Sequence, residues 1–126
     1  MRAIALVALV AACLVLAGCG KDTPIYSLTK TEACLRSNGV VLGGRLDFVA
    51  TTATGGAVRA ELRDNQLTLV FGRTKDDADN IDAAYRRFHA SNVGIDDVLR
   101  QQSNAVMLWH EHPSDPDLAF VTGCLK

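Results

Sequence analysis

Two stretches of the chain alternate apolar and polar residues with a period of two. In residues 57–62, Val58, Ala60 and Leu62 share one face while Arg59 and Glu61 share the other. Residues 66–71 repeat the pattern with Leu67, Leu69 and Phe71. Arg63-Asp64-Asn65 separates the two, so the segment predicts a β-hairpin. Residues 98–102 and 105–110 predict a second hairpin that turns at Ser103-Asn104. Its second arm is apolar on both faces, as expected of a strand lying centrally in a sheet.

Elsewhere the period changes to that of a helix. Ile81, Ala84, Tyr85 and Phe88 fall at i, i+3, i+4 and i+7 and form one apolar stripe. Thr74 stands at the N-cap and Asp77 three residues on. Asp76, Asp77, Asp79 and Asp82 precede Arg86 and Arg87, the order that complements the helix dipole. Asn92 and Gly94 are expected to close this helix. Thr29-Lys30-Thr31-Glu32 reads as a capping box for an earlier helix running to Asn38, with Leu28 and Ala33 as its staple and Gly39 as its stop. Ser114-Asp115-Pro116-Asp117 opens a last helix, whose buried side carries Leu118, Val121 and Leu125. Residues 40–42 form a short strand closed by Gly43-Gly44. Residues 46–50 read as strand or irregular chain, and 51–56 as a Thr/Gly loop. The expected fold is α+β, in the order α-β-ββ-α-ββ-α, with a small antiparallel sheet and helices packed on one face.

The whole chain has 126 residues, one domain's worth. With 48% hydrophobic and 21% charged residues it is not disordered throughout. A formal net charge of −1 argues against a nucleic-acid partner.

The N-terminus is read as an address. Arg2 is followed by residues 3–17, which include no charge and no proline. The run is shorter than the ~20 apolar residues that a spanning helix needs. It ends in Leu16-Ala17-Gly18-Cys19, which resembles the lipobox of bacterial lipoproteins. That resemblance implies alkylation of the Cys19 thiol by a diacylglyceryl group, cleavage after Gly18 and acyl (palmitate-type) chains buried in a bilayer. Each buried methylene adds ~0.8 kcal/mol, and two chains anchor stably where one does not. The alternative is an ordinary secretory signal or an uncleaved anchor. The expected organisation is a signal peptide at 1–18, a lipidated cysteine and tether at 19–28, and one extracytoplasmic domain at 29–126. The expected location is the outer face of the cell membrane, with membrane lipid as the partner of Cys19 and an envelope protein as a second partner.

Export changes the reading of the four cysteines. Cys13 leaves with the signal and Cys19 takes the lipid, which leaves Cys34 and Cys124 in an oxidising compartment. A bridge between them would join the first and last helices and close a long loop, worth about 4–5 kcal/mol in the chain-entropy model. The alternatives are two buried thiols or a partner on another chain. Ala33-Cys34-Leu35 with Gly39, Thr54-Gly55-Gly56-Ala57, Tyr85-Arg86-Arg87-Phe88-His89 and Val121-Thr122-Gly123-Cys124-Leu125 resemble stretches of small envelope lipoproteins of high-GC Gram-positive bacteria. This resemblance implies no particular activity.

Candidate chemistry is sparse. His110 and His112 would share one face of a strand, where alternate histidines can hold a metal, and His89 could add a third ligand. A polar strand end running into Pro113 is the simpler reading, because two histidines are too few for a closed zinc site. Ser114, His110 or His112, and Asp115 suggest a triad, but no Gly-x-Ser-x-Gly elbow surrounds a serine. Asp76-Asp77-Ala78-Asp79 lacks the glycine and closing glutamate of a calcium loop. The glycine pairs lack a Walker lysine. Met107 and Trp109 would share a strand face, as core or as the wall of a pocket, and the 51–56 loop could line a cleft. No catalytic residue and no cofactor is expected. The leading expectation is a non-enzymatic binding or interaction module. The alternatives are a metal-binding or enzymatic domain centred on His110 and His112, or a carrier of an apolar ligand.

Overall fold

The computed structural model describes residues 23–91 and 94–126. The expectations for residues 1–18, for Cys19 and for Asn92 lie outside the described residues. Among these residues the chain forms helix α1 (Leu28–Ser37), strand β1 (Val41–Leu42), helix α2 (Phe48–Thr51), strands β2 (Ala57–Glu61) and β3 (Gln66–Phe71), helices α3 (Lys75–Phe88) and α4 (Ile95–Val98), strands β4 (Leu99–Gln102) and β5 (Ala105–Trp109), and helix α5 (Asp115–Cys124). The five strands make one antiparallel sheet in the order β1-β2-β3-β5-β4. The α+β class and both hairpins are as the sequence pattern implies, and β5 lies inside the sheet.

The helices cover both faces of that sheet, not one. Leu67, Leu69 and Phe71 of β3 and Ala105, Met107 and Trp109 of β5 pack with Leu35 of α1 and with Val121, Cys124 and Leu125 at the α5 end. Val70 and Val106 point the other way, into a second cluster with Ala50 of α2 and Ala78, Ile81 and Tyr85 of α3. The reason is in the strands: β3 and β5 carry apolar residues on both faces, and each face must leave water.

A disulfide joins Cys34 to Cys124, 90 residues apart, and ties α1 to α5 on the first face. Ser27 Oγ accepts from the Lys30 N–H and caps α1, two residues before the expected cap. Glu32 does not complete a capping box but faces Arg36 at 3.7 Å. Thr74 and Ser114 cap α3 and α5 as predicted. Of residues 46–50, Leu46 and Asp47 are irregular, as one of the two readings allowed, but the rest is helix and not strand: Asp47 accepts from the Ala50 N–H at 2.9 Å and starts the short helix α2.

Two buried asparagines seal opposite ends of the sheet. At the β2–β3 turn, Asn65 donates to Glu111 O and accepts from the Gln66 and Glu111 N–H groups. At the β4–β5 turn, Asn104 Oδ1 accepts from the Tyr26 N–H at 2.7 Å, and Nδ2 donates to Tyr26 O and Gly72 O. Ser103 beside it donates to Pro24 O. The chain therefore enters the domain at the β4–β5 end of the sheet. No described helix is long and apolar enough to cross a membrane.

Candidate functional site

The second face of the sheet is covered over only part of its length. Helix α3 lies over Val70 and Val106, and its last residue in helical conformation is Phe88. Beyond it the strands turn polar on this face, with Arg59 on β2 and Gln66 and Thr68 on β3. Leu108 of β5 pairs with Thr68 across the ladder. These residues form the floor of a cleft of about 800 Å³. Its walls come from Phe48 and Val49 of α2, Tyr85 and Phe88 of α3, and Ile95 and Val98 of α4. Leu67 and Trp109 also border it, and His89 and His110 stand at its edge. The volume falls within the range of small-molecule sites, ~300–1,000 Å³.

The walls are fixed by specific contacts. The Tyr85 hydroxyl donates to Asp47 Oδ2 at 2.9 Å and Oδ1 at 3.1 Å. The same carboxylate caps α2, so one side chain both starts that helix and ties it to α3. Burial, and then the adjacent Asp47 carboxylate, push the Tyr85 hydroxyl well above the ordinary phenol range. It stays protonated and donates. Phe48 and Phe88 flank the opening, 78% and 68% exposed. Phe88 was expected on the buried stripe of α3. The structure instead leaves it exposed, at the last residue of that helix.

On the floor, the Arg59 guanidinium donates to Gln66 Oε1, and Gln66 Nε2 donates to Glu61 Oε1 at 3.3 Å. Among the described residues Arg59 makes no ion pair. Its stem lies against Gly44, where an added Cβ would come 3.2 Å from Arg59 Cδ. The indole Nε1 of Trp109 is the one buried side-chain polar atom without a partner among the described residues.

The three histidines do not come together as one ligand set. His89 and His110 border the cleft, while His112 Nδ1 lies 2.7 Å from Asp97 Oδ1 on the exposed surface. Among the described residues no three His, Cys, Asp or Glu side chains are grouped to hold a metal ion. Ser114 is engaged as the cap of α5, its Oγ accepting from the Asp117 N–H at 3.2 Å. In the acidic run, Asp77 accepts from Thr54 Oγ1 and the Arg73 N–H, and those bonds, Thr54's first, hold its carboxyl below the usual range. Gln101 and then Lys75 do the same for Asp79. The 51–56 loop does not border the main cleft. Thr52, Ala53 and Thr54 line a smaller hollow between α2 and α3. Met107 is core, and Trp109 is both core and border of the cleft.

The cleft was not singled out from sequence, although a signal for it exists. Along β3 the second face changes from Val70 to Thr68 and Gln66, and along β2 it carries Arg59 and Glu61. A sheet face that is apolar at one end and polar at the other marks where its helical cover stops. No protein-family model, no curated protein and no solved structure matches the chain significantly.

Proposed function

We propose that this chain is an envelope protein anchored by lipid on the extracytoplasmic face of the cell membrane, whose cleft binds the apolar part of a small ligand. The observation that carries the binding reading is the 800 Å³ cleft, walled by aromatic and aliphatic side chains beside a polar floor. Phe48 and Phe88 at its opening support it. Two large apolar side chains left in water beside a cavity are better accounted for by an occupant than by the fold. The lipobox-like Leu16-Ala17-Gly18-Cys19 supports the anchor. The site of chain entry fits both. A tether preceding residue 23 would hold the domain at the Asn104 end of β5, while the cleft lies at the Trp109–His110 end.

The test is uptake of a neutral apolar dye, N-phenyl-naphthylamine, by the purified chain, followed by dye emission and by transfer from Trp109, the only tryptophan. Saturable uptake that Phe48→Ser and Phe88→Ser together weaken is the expected result. A chain that takes up no dye, or takes it up equally well without those rings, would overturn the reading. The anchor is tested separately: Cys19→Ala should abolish incorporation of labelled fatty acid and leave the precursor unprocessed. Persistent labelling would refute it.

The exposure of Phe48 and Phe88 also favours a second reading, in which an envelope protein seats an apolar side chain in the cleft. A photo-reactive side chain at position 88 in intact cells separates the two. A small adduct supports the ligand, and an adduct of protein mass supports the partner.

A further inference from the structure

Among the described residues, Arg59 is the only lysine or arginine bordering the cleft, and the one carboxylate there is already occupied. Asp47 accepts two contacts from the Tyr85 hydroxyl and one from the Ala50 N–H. A guanidinium has five N–H donors, and among the described residues Arg59 uses one, to Gln66 Oε1. Glu61, two residues along the same strand, is engaged through Gln66 Nε2 and makes no ion pair with it. The cleft therefore presents a cation with unspent donors next to apolar walls. Gln66 Oε1 holds that cation, and its stem passes close to the bare Gly44. A partly desolvated, planar fork of donors is best satisfied by an oxyanion, which can accept two parallel bonds.

We propose that the cleft selects an anionic amphiphile, with its single hydrocarbon chain between the walls of α2, α4 and the sheet and its oxyanion head held by Arg59. This rests on the ligand-binding reading above and adds the class of ligand. The apolar part is recognised by Phe48, Val49, Ile95, Val98 and Leu108, and the head by charge and fork geometry. A cationic head would face Arg59 across the same polar floor and be repelled.

Three probes with the same tail and different heads test it: dodecanoate, dodecanol and dodecyltrimethylammonium. Each is titrated below its aggregation threshold into the detergent-free purified chain, with Trp109 emission and dye displacement as readouts. Dodecanoate should bind tightest, by about tenfold or more over dodecanol, the size of a hydrogen bond to a charged group. Arg59→Gln should bring dodecanoate to the level of dodecanol and leave dodecanol unchanged. Arg59→Lys, which keeps the charge and loses the fork, should fall between. Equal affinity for dodecanoate and dodecanol in the unmodified chain, or preference for the cationic probe, would overturn the head-group inference while leaving the cleft reading intact. Arg59→Gln weakening both probes alike would overturn it too, because the residue would then be supporting the cleft and not choosing the head. Binding of none of the three would overturn both.

Discussion

The Tyr85 hydroxyl reaches across 38 residues of sequence to the carboxylate of Asp47, 2.9 Å from one oxygen and 3.1 Å from the other. The pair fastens the short helix α2 to the long helix α3 and so sets one wall of the cleft. Four residues cannot hold a helix by themselves, because nucleation costs more than one turn returns. The Asp47 cap and the Tyr85 contact are what fix α2. Tyr85→Phe should therefore cost about 1.5–3 kcal/mol, the range for a hydrogen bond to a charged group. It should also loosen α2, seen as faster amide exchange at Ala50 and Thr51.

The same contact predicts an alkaline limit. The folded state holds Tyr85 protonated, with its hydroxyl above the ordinary phenol range, through burial and the Asp47 carboxylate. Unfolded, a tyrosine ionises near pH 10. A group with a raised pKa in the fold contributes its full share below that value and loses it as pH rises further. Stability should fall from about pH 10 upward, and the tyrosinate absorbance of Tyr85 should appear only with unfolding. Tyr85→Phe should flatten this limb of the profile. An unchanged slope would show that Tyr85 is not the group responsible.

Asn104 joins the entering chain to the sheet. Its amide makes three bonds that join the entering chain at Tyr26 to the β4–β5 turn and to Gly72 after β3. Asn104→Ala leaves the Tyr26 N–H and two carbonyls without these partners at a buried position. The expected loss is about 1–3 kcal/mol, with proteolysis newly possible at residues 23–27. Asn104→Asp should be nearly as damaging, because a carboxylate cannot donate to the two carbonyls.

Local rules made most of the elements legible. The first hairpin follows from alternation at Val58, Ala60, Leu67, Leu69 and Phe71, all of which are buried. The caps Thr74 and Ser114 were readable because a hydroxyl residue precedes each acidic first turn. The Cys34–Cys124 pair was reachable once two of the four cysteines were set aside. Elements below the length of a period were not legible. Residues 46–50 hold Leu46, Val49 and Ala50 in too short a run to tell a helix from a strand, although Asp47 was a usable cap signal. Helix α4, with Asp96 and Asp97 in its only turn, was missed for the same reason. The cleft depends on where α3 stops relative to the strands beneath it, and no residue pattern encodes that distance directly.

Gly55 has to be a glycine for a steric reason. An added Cβ would sit 2.6 Å from Phe71 O and 2.8 Å from Gly72 O, both backbone atoms that cannot step aside. The Gly55 N–H also donates to Phe71 O at 2.7 Å, joining the loop before β2 to the end of β3. Gly55→Ala should cost more than a typical overpacking change, roughly 1–3 kcal/mol, because the clash and the lost bond coincide. Gly123→Ala is the control, since nothing lies within 4 Å of the built Cβ. Thermal midpoints of the two variants should differ clearly. Equal midpoints would mean that the loop relaxes freely.

The disulfide can be tested against the packing around it. Leu35, Val121 and Leu125 bury the contact between α1, α5 and the sheet beside the two cysteines. Reduction, or the Cys34→Ala and Cys124→Ala pair, should therefore leave the folded sheet and helices in place and act mainly on the unfolded chain. Freeing a 90-residue loop is worth about 4–5 kcal/mol in the chain-entropy model, an upper figure. The urea midpoint should drop accordingly. The m-value should rise, because the open unfolded chain exposes more surface than the looped one. A lowered midpoint with altered native far-ultraviolet circular dichroism would instead mean that the bridge holds α1 and α5 against the sheet. An unchanged midpoint would mean that the two sulfurs are not joined in the protein as purified, which non-reducing mass analysis would show as two titratable thiols.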